Sequence, residues 1–268
     1  FLIISSFLIE GFFRIKNIRE QIPPGFRTGI FKSYLIYYLV PFRREKMFRF
    51  YRQFVSEGQL AFDVGAHIGN RIRTFLDLGA FVAAFEPQPA CRRLLEAWFG
   101  EQKKVSLDFS SLGPEEKNAD LIISSKYPTL ASVDIAWVRE NQRLPAFQKV
   151  KWDLTEKINM TTLDASIKKY GKPVFIKIDT EGFEHEVLSG LSEAVECISF
   201  EFLPGRIGRA LKCIDEILRL GNFSFNFSRG ESMKLFFSRW QSAEEIRSFI
   251  MECLEGAQSG DIYAKLKK

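Results

Sequence analysis

Few residues in this chain could carry acid–base chemistry. Asp179 and Glu181 flank a threonine directly after the apolar run Val174–Ile178, and the two histidines are His67 and His185. Two carboxylates around one turn can orient a substrate, take a proton from a hydroxyl or hold a divalent cation. A second group follows the apolar run Leu60–Val64, in the order Asp63-x-Gly65-x-x-x-Gly69. Glu86 stands 23 residues beyond Asp63, at the end of Phe81–Phe85. An acidic residue about 20 positions past a glycine turn is where a nucleotide-binding βαβ unit accepts ribose hydroxyls.

Holding these residues together requires strands that end at one sheet edge. Leu60–Val64 is short, apolar and rich in strand formers, and it enters a glycine turn; Arg71–Leu78 then carries apolar residues at helical spacing up to Gly79. Such a turn sets backbone N–H groups and a helix N-terminus around one spot, which makes a ligand site. Phe81–Phe85 reads as a second buried strand, stopped by Pro87-Gln88-Pro89. The three-glycine turn of nicotinamide enzymes is missing. The looser spacing suits a nucleoside carrying an amino acid better than a pyrophosphate, so S-adenosylmethionine fits better than NAD.

Further along, Pro89–Phe99 reads as a helix, Val105–Phe109 and Asp120–Ser124 as strands, and Lys126–Trp152 as a long irregular polar loop of the kind that is usually functional. Thr161–Tyr170 has a hydroxyl cap at its start and Gly171 at its end, which marks a helix. Val174–Ile178 and Cys197–Phe202 read as strands, Phe183–Leu191 and Gly208–Leu220 as helices. Asn222–Phe227 and Met233–Phe237 read as a late pair of strands, followed by a helix over Ala243–Cys253 and a closing strand over Asp261–Leu266. Alternation of this kind predicts a mostly parallel α/β sheet with an antiparallel edge and helices on both faces.

The stretches FDVGAHIGN, LGAFVAAFEPQP, TTLDASIKKYGKPVFIKIDTEGFEHEVLSGL and ISFEFLP, in that order, resemble successive motifs of the FkbM-type methyltransferases. These are S-adenosylmethionine-dependent enzymes with the Rossmann-like class I fold. The resemblance runs from about Arg49 to the C-terminus; His67 stands where that family commonly has Asn. It implies cofactor contacts from Asp63, Gly65, Ala66, His67, Gly69 and Asn70 in the first loop. Glu86, Pro87 and Gln88 would follow from the second, Ser111 from the segment that usually reads the adenine, and Asp179 from the fourth strand end.

Several roles stay open for the chemical residues. Asp179 could hold the methionine amino group, orient the acceptor or act as base. Glu181 could act beside it or serve the dipole of the following helix. His67 is either a catalytic group or a hydrogen-bond partner within its loop, and His185 reads as a surface residue. Asp179, Glu181 and His185 could form a divalent-metal site with Glu201 as a further carboxylate, but that spacing is permissive and no dedicated metal site is expected. Glu201 has the alternative of pairing with Arg206 or Arg209.

The chain has 268 residues, 46% of them hydrophobic, enough for one substantial core with an appendage. Four scattered cysteines, Cys91, Cys197, Cys213 and Cys253, argue against a disulfide framework and for a reduced, cytoplasmic setting. Of the net charge of +5, residues 1–58 contribute a surplus of six, leaving −1 for the rest. The core therefore has no basic stripe and is not expected to bind nucleic acid. Residues 1–58 form a basic, aromatic helical extension before the domain at 59–268, and the apolar run 1–13 is too short to span a membrane. That extension is expected to cover part of the acceptor cleft or to rest on an anionic surface. The leading reading is an O-methyltransferase acting on a small molecule or sugar. The alternative is a degenerate methyltransferase fold serving as a binding or membrane-associated module, with an NAD-dependent dehydrogenase behind both.

Overall fold

The computed structural model describes residues 22–252 and 259–267. The apolar run 1–13 and Cys253 lie outside them. In chain order the helices are α1 (Pro24–Tyr38), α2 (Arg43–Tyr51), α3 (Asn70–Asp77), α4 (Pro89–Phe99), α5 (Ile135–Gln142), α6 (Leu163–Tyr170), α7 (Glu184–Ser189), α8 (Ile207–Leu220) and α9 (Ala243–Glu252). The strands are β1 (Leu60–Val64), β2 (Phe81–Phe85), β3 (Val105–Asp108), β4 (Ser111–Leu112), β5 (Lys117–Ile123), β6 (Leu154–Thr161), β7 (Phe175–Ile178), β8 (Cys197–Phe202), β9 (Phe223–Arg229) and β10 (Gly260–Leu266).

Seven strands form one sheet in the order β3-β2-β1-β7-β8-β10-β9. The pairs from β3 through β8 are parallel, while β10 runs antiparallel to both β8 and β9. The reversed strand is thus β10, one place in from the edge. The strand expected at Met233–Phe237 is absent. Asn226 of β9 uses its side chain to bond the backbone N–H and C=O of Phe237, which replaces a ladder there. A second sheet, β4-β6-β5, stands apart. Its β6, LTEKINMT, buries only Ile158 and Met160, so the sequence has no apolar alternation to announce it. The segment 126–152 is not wholly irregular either: α5 lies within it, capped by the Asp134 carboxylate, which accepts from Trp137 N–H.

Alternation along the strands fills two cores. Phe62, Ile176, Ile178, Ile198 and Phe200 pack on one face with Ile214 and Ile217 of α8. Ala61, Phe175 and Tyr263 pack on the other with Phe75 of α3 and with Met47, Phe50 and Tyr51 of α2. The helix α1 forms a third cluster, in which Phe26 and Ile30 join Ile68 and Leu94. No described helix is long and apolar enough to cross a membrane.

Candidate active site

The strand order turns at β1 and β7, and ligands of such sheets bind beyond the carboxyl ends at that point. There the structure has a cavity of about 830 Å³, counting space open to solvent. Gly65, His67 and Asn70 line it from the first loop, Glu86, Pro87 and Gln88 from the second, Ser111 from the third, and Asp179 and Glu181 from the β7 end. Pro128, Thr129 and Ser132, from the segment between β5 and β6, close one side. The remaining three expected residues are not on its wall. Asp63 is fully buried beneath the turn, Ala66 is buried, and Gly69 packs toward α4.

The glycines are needed for protein packing. Gly65 has φ +82°, and a Cβ there would come within 1.8 Å of the Asp179 carbonyl oxygen; at Gly69, with φ +77°, it would meet Phe99 and Leu95. The two loops are therefore pressed together at Gly65, which sets β1 and β7 side by side. The turn does not present free amides as its spacing suggested. Gly65 and Ala66 N–H donate to Phe85 O, Gly69 N–H to Ala66 O, and His67 N–H to the Glu86 carboxylate. With those donors satisfied internally, the turn has little left to offer a phosphate.

Glu86 also accepts from Gln88 N–H at 2.9 Å, so its carboxylate is fixed from both sides at the cavity wall. Burial pushes its carboxyl up to about 7, against the pull of those two amides. The Asp63 carboxylate is raised to about 6, by burial first, although Arg71 and Lys177 oppose this. Neither Asp63 oxygen has a protein partner, and neither do Asn70 Nδ2 and Ser111 Oγ. Buried polar atoms without partners call for an explanation. Two of these residues face the cavity, which suits a polar ligand of nucleoside size.

At the β7 end the acids divide by environment. Asp179 Oδ2 lies 3.1 Å from Arg71 Nη2 and 3.5 Å from Lys177 Nζ. Burial pushes the Asp179 carboxyl up, but Lys177 and Arg71 outweigh it and hold it below the ordinary range. Lys177, fully buried on β7, is shared with Asp261 of β10 at 2.9 Å. Glu181 has φ +52° and sits well above the ordinary carboxyl range, through burial and then the charges of Asp179 and Glu184. It does not serve the following helix. That place is taken by Glu184, whose Oε1 accepts from Thr180 and Gly182 N–H and so ties down the turn.

The structure shows what surrounds the two histidines and Glu201. Both ring nitrogens of His67 are engaged, Nε2 with Ser33 Oγ at 2.9 Å and Nδ1 with Cys91 Sγ at 3.4 Å, and burial lowers its pKa to about 4. It has a hydrogen-bonding role, joining α1 and α4 to the first loop. His185 lies away from Asp179 and Glu181, 3.6 Å from Glu186 and from Glu216. The carboxylates that meet are Asp179, Glu181 and Glu201, with oxygens within 4.8 Å of one another. Glu201 is not neutralised by the nearby arginines, since Arg206 pairs with Glu140 and Arg209 with Asp134. An all-oxygen set suits a hard divalent ion, yet Asp179 already has two cations against it, so the set is a poor fit for one.

Sequence reasoning missed Arg71, Tyr37 and Glu184. Arg71 left a signal: a cation in the first turn of a helix opposes the dipole, and one placed there needs a carboxylate partner. Glu184, a carboxylate in the first turn of α7, had the favourable version of the same signal. Tyr37 reaches the cavity from α1, and its phenol is raised to about 12 by burial and the Asp179 charge. Nothing in its local sequence pointed there.

The strand order with reversed β10, together with the cavity over β1 and β7, defines a Rossmann-like fold of the class I methyltransferase type. The chain belongs to the FkbM methyltransferase domain family, whose profile matches residues 63–253. Among curated proteins none matches the sequence. Similar solved structures include a precorrin-6y C5,15-methyltransferase from Geobacter metallireducens GS-15, with 9% identity, 83% of this chain and 87% of that one covered, and a TM-score of 0.44. A putative O-methyltransferase from Klebsiella pneumoniae has 8% identity, 95% and 97% coverage and a TM-score of 0.44. A putative methyltransferase from Streptococcus mutans in complex with SAH has 11% identity, 82% and 96% coverage and a TM-score of 0.40. At these scores the likeness is general, and the assignment rests on the strand order and the family match.

Proposed function

We propose that this protein methylates a hydroxyl group of a small molecule or sugar with S-adenosylmethionine as donor. The observation that carries the reading is one cavity with Glu86 on its wall from β2 and Glu181 from the β7 end, lined also by the unpartnered Asn70 and Ser111. Bound there, the cofactor supplies an electrophilic methyl group. Glu86, held by two amides, keeps lone pairs free for ribose hydroxyls. Asn70 Nδ2 and Ser111 Oγ are the groups that a nucleoside amino acid would satisfy.

Methyl transfer depends mainly on alignment, and positioning alone is worth up to about 7–11 kcal/mol. Asp179 suits that task, because Arg71 and Lys177 keep it ionised and fix its direction. A carboxylate so stabilised is a weak proton acceptor. Glu181 has the opposite setting: burial and its acidic neighbours raise its affinity for a proton, which suits a base that takes the acceptor proton. The cytoplasmic setting stays part of this proposal, on the strength of the scattered cysteines.

The test is transfer of labelled methyl from S-adenosylmethionine to a panel of sugars, lipid-linked sugars and small hydroxyl compounds. Transfer by the wild type and its loss in Glu181→Gln are expected. Binding of cofactor with transfer to no acceptor would favour a binding module built on the same fold.

A further inference from the structure

The junction of α1 and α2 exposes an unusual amount of apolar surface. Within residues 36–42, Ile36 is 52% exposed, Leu39 55%, Val40 46% and Phe42 79%. A single exposed leucine is ordinary, whereas a contiguous group marks a contact surface. Phe42 stands out further, since it adopts φ +60°, a left-handed conformation unfavourable for a bulky residue, while its ring packs on little of the protein.

The segment that carries this tip is mostly basic. From residue 32 to 52 the sequence has Lys32, Arg43, Arg44, Lys46, Arg49 and Arg52 against Glu45 alone. Glu45 is tied to Arg49, Arg44 to Asp77 and Arg43 to Glu231. Lys32, Lys46 and Arg52 are exposed and have no acidic partner among the described residues. A groove beside the tip, lined by Leu39, Phe42 and Arg73, shares Tyr37 and Asn70 with the main cavity. The tip therefore adjoins the mouth of the site.

We propose that this tip seats on an anionic lipid surface, with Leu39, Val40 and Phe42 entering the headgroup boundary and Lys32, Lys46 and Arg52 meeting the phosphates. Apolar side chains flanked by unpaired cations match such a surface in both chemistry and sign. A protein partner with acidic residues would answer the cations but not an exposed phenylalanine presented on a strained backbone. Contact of this kind would bring the cavity close to the lipid. The inference does not depend on the methyl-transfer reading.

Flotation of the full chain with vesicles tests it. Phosphatidylcholine vesicles containing phosphatidylglycerol should carry the protein up, neutral vesicles should not, and added salt should release it. The double variant Leu39→Gln, Phe42→Asn should keep its circular dichroism, because Asn tolerates the left-handed angle. It should bind the anionic vesicles about tenfold or more weakly. Three results overturn the proposal: no binding to anionic vesicles; equal binding by the double variant, which would move the attachment to residues 1–21; or a wild-type dimer that the variant dissociates, which would make the tip a subunit interface.

Discussion

Arg71 of α3 and Asp179 at the end of β7 meet at 3.1 Å across the boundary between the two central strands. The pair joins the two loops that face the cavity, and Lys177 makes it a triad. Removing one member of a buried pair leaves an uncompensated charge. Asp179→Asn should therefore cost about 3 kcal/mol, the low end for such a break, because Lys177 keeps Asp261. Thermal denaturation would read this as a lower Tm. An Asp179→Asn protein as stable as wild type and fully active would remove the triad from the account.

Glu181 should behave as a base. Glu181→Gln is expected to lower kcat by about 10²–10⁴-fold and leave cofactor binding close to normal. Because burial and its acidic neighbours raise this carboxyl, the form that accepts a proton is lost on acidification, and wild-type turnover should climb with pH above the ordinary carboxyl range. A chelator should leave turnover unchanged. Loss of activity with chelator and rescue by magnesium would instead make Asp179, Glu181 and Glu201 metal ligands.

Glu86 gives a pH signature in stability. Its folded pKa of about 7 lies above the ordinary 4.5, so the folded state holds that proton more tightly than the unfolded state. The resulting stabilisation is present below the unfolded pKa and is lost as pH rises through the folded one. Glu86→Gln has no such loss and should gain about 3 kcal/mol on the wild type between about pH 4 and pH 8. Parallel stability curves for the two proteins would contradict the burial of this carboxyl.

Gly65 and Gly58 form a controlled comparison. Both have positive φ, but a Cβ at Gly58 meets nothing within 4 Å, while one at Gly65 strikes the Asp179 carbonyl. Gly58→Ala should cost about 1–2 kcal/mol, for the left-handed angle alone. Gly65→Ala adds a clash between two loops and should cost about 3–5 kcal/mol in denaturant titration. Equal costs would mean that the two loops are not in contact.

Much of the frame was legible because its signals are local. The apolar runs LAFDV, FVAAF, FIKI and CISFEF became β1, β2, β7 and β8, and their carboxyl ends brought Gly65, Glu86 and Asp179 to one place. What escaped depends on partners distant in sequence. The second sheet hides because β6 is mostly exposed, and at the end of the supposed strand 233–237 the backbone groups of Phe237 are taken by the Asn226 side chain. His67 looked chemical from its type alone; the groups that engage it, Ser33 and Cys91, are 34 and 24 residues away. Glu184 escaped notice for a similar reason: the amides it accepts from, at Thr180 and Gly182, are brought to it by a turn in which Glu181 takes φ +52°, and the sequence does not print that angle.

The central claim is that the cavity over β1 and β7 holds S-adenosylmethionine by way of Glu86. Calorimetric titration of the cofactor into wild type and Glu86→Gln tests it most directly. The account predicts a single site in the wild type and an affinity loss of about 1.5–3 kcal/mol in the variant, the range for a hydrogen bond to a charged group. No heat with the wild type, or the same affinity in both proteins, would contradict it.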